Sequence, residues 1–161
     1  MQFDPSQNKS NRYDQSPIPT WLNGTFYNSA FTSTQKNYIP STTVTLKLYN
    51  SDQTSTTQNY VFLLGHNEAN TTLNIEEYLK NDNARKKIGT DYAKANNLSV
   101  SSSQMLSGQY TSYWWLSSES DNDWGDGNFA YTVKDTGEFV GVNVDASRGE
   151  GICPALWFTL P

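Results

Sequence analysis

Two aromatic segments constrain this chain more than anything else in it. One reads Ser112-Tyr113-Trp114-Trp115-Leu116-Ser117-Ser118 and the other Gly151-Ile152-Cys153-Pro154-Ala155-Leu156-Trp157-Phe158. Neighbouring residues of a strand point to opposite faces, so Trp114 and Trp115 cannot share a side and at least one is core. Only 35% of the residues are apolar, but 14% are aromatic. Each large ring buries about 150–250 Å², so a few of them build a core. Between the two segments lies a stretch of Asp, Asn, Gly and Ser. That is the pattern of a rigid scaffold presenting polar loops, closer to a binding surface than to a reaction centre.

Upstream, Ser16-Pro17 is a helix start, with Ser as cap and Pro at the first helical position. Trp21, Leu22, Phe26 and Ala30 then recur at helical spacing. Thr32-Ser33-Thr34-Gln35 is a capping box for a second short helix, stopped at Pro40. Val44, Leu46 and Leu48 alternate with polar residues as a half-buried strand. Residues 50–59 are rich in Ser, Thr, Gln and Asn and predict a loop. Tyr60-Val61-Phe62-Leu63-Leu64 predicts a buried strand. A helix cap stands at Asn74, and Ala84, Ile88 and Tyr92 mark a longer helix. Residues 99–112 read as a loop into the tryptophan strand. Phe129, Tyr131 and Val133, the turn Asp135-Thr136-Gly137-Glu138, and the residues from Phe139 to Val144 form a hairpin. A last strand is expected around Ala155–Leu160.

This order predicts an α+β fold with a mostly antiparallel, twisted sheet flanked by two main helices. At 161 residues the chain has the size of one domain. Residues 1–15 are polar and predict a flexible N-terminal segment, leaving 16–161 as a single domain.

Charge and composition exclude several functions. The net charge is −5 and no basic run exceeds Arg85-Lys86-Lys87. Nucleic-acid binding needs a basic footprint, and none is present. No stretch of about 18 apolar residues exists to insert into a membrane. Met1-Gln2-Phe3-Asp4-Pro5 lacks the regions of a signal peptide, so either export is not encoded here or the chain is a piece of something longer. Charged residues are scarce and Asn, Ser and Thr supply the polarity, which suits an extracellular, cell-surface or virion setting. Cys153 is the only cysteine and His66 the only histidine. No phosphate-binding loop, nucleophile elbow or zinc motif is present, and no enzyme is expected. Four N-x-S/T sequons, at Asn8, Asn23, Asn70 and Asn97, are what such a composition yields by chance.

Several of these residues together resemble a domain family of unknown function common in Gram-positive bacteria. Its members carry W-W-L-R-S and a terminal G-V-R-P-A-L-W, here Trp114 to Ser118 and Gly151 to Trp157. An upstream S-x-I-R-x-W-L-N corresponds to Ser16 through Asn23, and V-F-L-L to Val61 through Leu64. The resemblance covers roughly residues 16–160. It implies a fold similar to C-type-lectin-like domains, including relatives of the formylglycine-generating enzyme and the variable proteins of diversity-generating retroelements. Formylglycine chemistry needs more than one cysteine and is excluded. Three family arginines are replaced, by Pro19, Ser117 and Cys153. The family's first strand has no visible counterpart in residues 1–15.

Function is therefore sought on two polar segments. The first contributes Glu119, Asp121, Asp123, Trp124, Asp126 and Asn128. Calcium takes 6–8 oxygen ligands, so Asp121, Asp123 and Asp126 are its candidate ligands and calcium the candidate cofactor. Their spacing matches no standard calcium loop, and the competing reading is a solvated acidic loop. Trp124 is either a stacking platform for a sugar or partner, or a lid on its own loop. The second segment contributes Asn143, Asp145, Arg148 and Glu150, on a loop held by the scaffold; Arg148 pairing with Asp145 or Glu150 is the alternative. Cys153 reads as an inert, buried thiol. The leading expectation is a non-catalytic binding module for a glycan or a cell-surface protein. The alternatives are a structural or assembly domain of a larger surface or virion protein, and a diversified receptor-binding protein of a retroelement or phage. A hydrolase using the acidic loop is a weaker fourth.

Overall fold

The computed structural model describes residues 2–4, 10–48, 52–69, 79, 81–120, 128–145 and 149–160. Among them the fold is α+β, with a few short helices and three small antiparallel sheets rather than one sheet between two main helices.

The first helical rod starts as the sequence predicts. Ser16 accepts a hydrogen bond from the Ile18 N–H and Pro17 opens α1, Pro17–Trp21. The rod continues through a π-helical turn, Leu22–Phe26, into α2, Tyr27–Ala30. Asn23, at the start of the π turn, ties the rod to the chain after it. Its Oδ1 accepts from the N–H groups of Tyr60 (2.7 Å) and Val61 (3.1 Å). Its Nδ2 donates to Pro19 O, Asn59 Oδ1 and Val61 O, each at 2.9 Å. The amide of this sequon is thus engaged inside the protein. Thr32 and Gln35 form the expected capping box on α3, Ser33–Lys36.

Strand β1, Thr42–Lys47, buries Val44 and Leu46 as predicted. The expected loop at 50–59 is instead partly its partner: β2, Thr54–Asn59, pairs with β1 antiparallel, Thr42 opposite Asn59. Its side chains are Ser, Thr, Gln and Asn, so one exposed face leaves no apolar alternation to read. The expected loop at 99–112 is likewise a hairpin of β4, Val100–Leu106, and β5, Gln109–Ser112. Ser107 (φ 50°) and Gly108 (φ 80°) form its two-residue turn, the left-handed pair that matches strand twist.

The longer helix expected through Ala84, Ile88 and Tyr92 is divided. Asn81 caps α4, Asp82–Arg85; Lys86 then turns extended, Lys87–Ile88 form β3 against β5, and Thr90 caps α5, Asp91–Ala95. Two local caps outweigh the periodicity. The helix start expected at Asn74 lies outside the described residues.

The core is organised around β6, Trp114–Glu119. Strand alternation sends Trp115 into one apolar cluster with Phe3, Tyr13, Ile18, Leu22 and Val61, and Trp114 with Leu116 into a second with Leu79 and Val133. Both tryptophans are core. On one edge β6 pairs with β7, Phe129–Val133, which forms the predicted hairpin with β8, Phe139–Asn143. On the other edge Trp115 N–H donates to Gly151 O (3.0 Å), Gly151 N–H to Tyr113 O (2.8 Å) and Ser117 N–H to Leu64 O (2.9 Å). Ala155 exchanges two hydrogen bonds with Phe62. The aromatic segments therefore meet each other and the Val61–Leu64 run directly. The last segment makes only isolated bridges at Gly151 and Ala155, not the expected strand; Pro154 between them has no N–H to extend a ladder.

The opening residues also depart from expectation. Phe3 and Tyr13 are fully buried. Phe3 meets Trp115 edge-on at 5.2 Å, and Asp4 N–H donates to Val144 O at 3.2 Å. Polar sequence around them concealed two rings that the main core needs.

Candidate functional site

Strands β6, β7 and β8 present a polar end. Glu119 faces Ala130 across the β6–β7 ladder, and Asn143 faces Phe129 across β7–β8. Val144 N–H donates to Asn128 O at 2.9 Å, and Ser120 N–H to Phe129 O at 2.9 Å. The Asn143 side-chain oxygen accepts from Asp145 N–H at 3.2 Å, a local turn that fixes both residues. Glu119, Asn128, Asn143 and Asp145 are thus brought to one end of the sheet, all half-buried. Asp121, Asp123, Trp124, Asp126 and Arg148 lie outside the described residues, and with them the candidate calcium ligands. Among the described residues no group of three acidic, His or Cys side chains converges on a metal position.

The N-terminal residues rim this end. Gln2 Nε2 donates to Asp145 O and Asn11 Nδ2 to Phe129 O, both at 3.2 Å. Arg12 forms a two-pronged pair with Asp14, at 3.1 and 2.6 Å. That hydrogen-bonded pair, with a further pull from Asp14 and Glu119, holds the Arg12 guanidinium above its usual pKa. Asp14 therefore fixes the Arg12 guanidinium in place.

Burial pushes the Asp14 carboxyl upward, but hydrogen bonds from Arg12 and Ser55 outweigh it and leave the group below its usual value. A depressed carboxylate contributes stability above the unfolded pKa of about 3.9, and loses it as pH falls through the lower folded value. Asp14→Asn should melt below the wild type at pH 7, and the gap should close as pH falls below about 4. Thermal melts across pH check this; a gap that is constant with pH would remove the linkage.

Glu150 is separated from the other predicted residues. It is 1% exposed. Its neighbour Gly151 bridges Trp114, at the opposite end of β6 from Glu119. A charged residue in a polar run reads as exposed, and only the packing reveals it as interior. His66 stacks on Tyr131 at 4.2 Å and meets Phe139 edge-on at 4.6 Å. Burial raises the Cys153 thiol above its ordinary pKa, against a smaller opposing effect of Lys87. A thiol held protonated is a poor nucleophile.

The sequence misses one further feature. Trp157, which reads as scaffold, is 47% exposed and borders a groove of about 420 Å³ between β1 and residues 154–157. Trp157 being aromatic gave no signal of this, because exposure depends on which neighbours fold over it.

The chain belongs to the family described as "Domain of unknown function (DUF6273)", which matches residues 2–160. The match begins before the region of resemblance at 16–160 and takes in Phe3 and Tyr13. No curated protein and no solved structure matches the chain. Among the described residues no helix is long and apolar enough to cross a membrane.

Proposed function

We propose that this domain is a non-catalytic binding module with a C-type-lectin-like fold, displayed on a cell surface or virion. Its ligand is a glycan or a surface protein, met at the polar end of β6, β7 and β8. One observation carries the reading: Glu119, Asn128, Asn143 and Asp145 lie at the ends of three neighbouring strands and come together at one end of a sheet whose central residues are packed in the core. Binding residues on loops fixed by a packed scaffold are the usual arrangement for recognition.

A glycan array, read with and without calcium, tests it. Glu119→Ala with Asn128→Ala should reduce the signal of any bound glycan about tenfold, the loss of roughly 1.4 kcal/mol. The melting temperature should change little, because both side chains are half-buried at the surface. An array without a single positive, together with no binding to intact cells, would sink the proposal. The assembly reading draws on a different observation: Val100, Met105 and Tyr110 are 43–47% exposed on the β4–β5 hairpin. Light scattering that gives a single monomer mass up to high concentration excludes it.

A further inference from the structure

The groove beside Trp157 has walls suited to a different kind of ligand. Thr42, Thr43 and Val44 all line it, although Val44 is buried and Thr43 exposed on opposite faces of β1. Three consecutive strand residues share only the strand's edge. One edge of β1 is taken by β2, and among the described residues no other strand pairs with β1. The groove therefore runs along the edge of β1 that no described strand pairs with. Thr159 N–H donates to Tyr38 O at 2.8 Å just before β1, and beyond that contact the backbone N–H and C=O groups of β1 can receive an added strand.

Its chemistry narrows the occupant. Val44, Phe62 and Leu64 supply an apolar lining, and Trp157 stands half-exposed at the border. Among the described residues, Glu68 is the one charged residue lining it. Its Oε2 accepts from the Gly65 N–H at 2.7 Å, so the carboxylate is held in place. Among the described residues no Lys, Arg or His lines the groove, and the chain carries a net charge of −5. Anionic ligands are disfavoured on both counts. The volume, about 420 Å³, lies within the range of ligand clefts, about 300–1,000 Å³. A sugar would use the indole and the carboxylate, but would leave the apolar lining and the open strand edge unused.

We propose that this groove binds an extended, basic peptide segment by strand addition to β1, with an apolar side chain over Val44, Phe62 and Leu64 and a lysine or arginine beside Glu68. This site shares no lining residue with the polar sheet end and does not depend on its function. Fluorescein-labelled hexapeptides of alternating valine and lysine are the probe, with glutamine and glutamate counterparts and a lysine peptide carrying alternate N-methyl amides. Fluorescence polarisation with the full chain should show the lysine peptide binding at least tenfold tighter than the glutamate one. Glu68→Gln and Trp157→Ala should each weaken it about tenfold, while Glu138→Gln, an exposed carboxylate elsewhere, leaves it unchanged. N-methylation should abolish binding. Glu119→Ala with Asn128→Ala should leave peptide binding intact, which separates this result from the fate of the polar end. Equal binding of all peptides, indifference to Glu68→Gln, or indifference to N-methylation would overturn the proposal. So would Trp157-dependent binding of chitohexaose in place of the peptides.

Discussion

Arg85→Ala should cost about 3 kcal/mol and lower the melting temperature by roughly 6–12 °C. The residue is 7% exposed and its side chain joins three parts of the chain. Its Nε donates to Gly137 O at 2.8 Å and its Nη1 to Leu79 O at 3.0 Å, while Nη2 pairs with Asp82. The guanidinium also lies 4.4 Å from the centre of the Phe139 ring. Truncation leaves two carbonyls without their donor in a place water does not reach. Arg85→Lys should recover less than half, because an ammonium cannot serve divergent acceptors as a planar fork does. The contact is close enough to forbid a side chain on Gly137: a Cβ there would stand 1.8 Å from Asp82 O, and its φ is +93°. Chemical denaturation of both variants checks this. A loss below 1 kcal/mol for the alanine variant would mean that the β7–β8 turn does not depend on this anchor.

Trp115→Ala is the other large effect, expected at about 3–5 kcal/mol. Among the described residues Trp115 is the largest fully buried side chain, and it touches Phe3, at the far end of the sequence. Its removal opens a cavity in the main core and releases the opening residues, including Asp4, whose N–H reaches Val144. Trp115→Phe should keep most of the stability and Phe3→Ala should lose about as much as other buried phenylalanines, 3–5 kcal/mol. The double variant should lose less than the sum of the two, because the rings share one contact. Strict additivity would show that residues 2–4 pack independently of β6.

The parts of the fold legible in the sequence were those in which one residue type has one physical meaning. Ser16 and the Thr32–Gln35 pair satisfy helix N–H groups, and these caps stand where they were expected. Val44 and Leu46 alternate because one face of β1 is core. The turn around Gly137 and the opposite faces of Trp114 and Trp115 followed from the same local rules. Strands β2, β4 and β5 were not legible. Serine and threonine suit loops and exposed strands equally, and strand pairing is made by backbone groups that every residue except proline carries. Phe3 and Tyr13 were hidden for a related reason: two rings in a polar segment show no periodicity.

The candidate site divides in the same way. Glu119, Asn128, Asn143 and Asp145 were legible as polar residues next to strands, and strand register brought them together. Glu150 was read as surface because it is charged, yet it is interior. Trp157 belongs to a motif that reads as scaffold, yet nearly half of it is exposed. By itself, then, the sequence determined where capped helices start, which face of β1 is buried, where the β7–β8 turn falls and that at least one of the paired tryptophans is core. Those outcomes rest on capping and side-chain alternation within a few residues. The tertiary structure alone decided which backbones pair, which charged group is buried and where a groove opens. Those outcomes depend on contacts between residues far apart in the chain, as between Phe3 and Trp115 or Phe62 and Ala155.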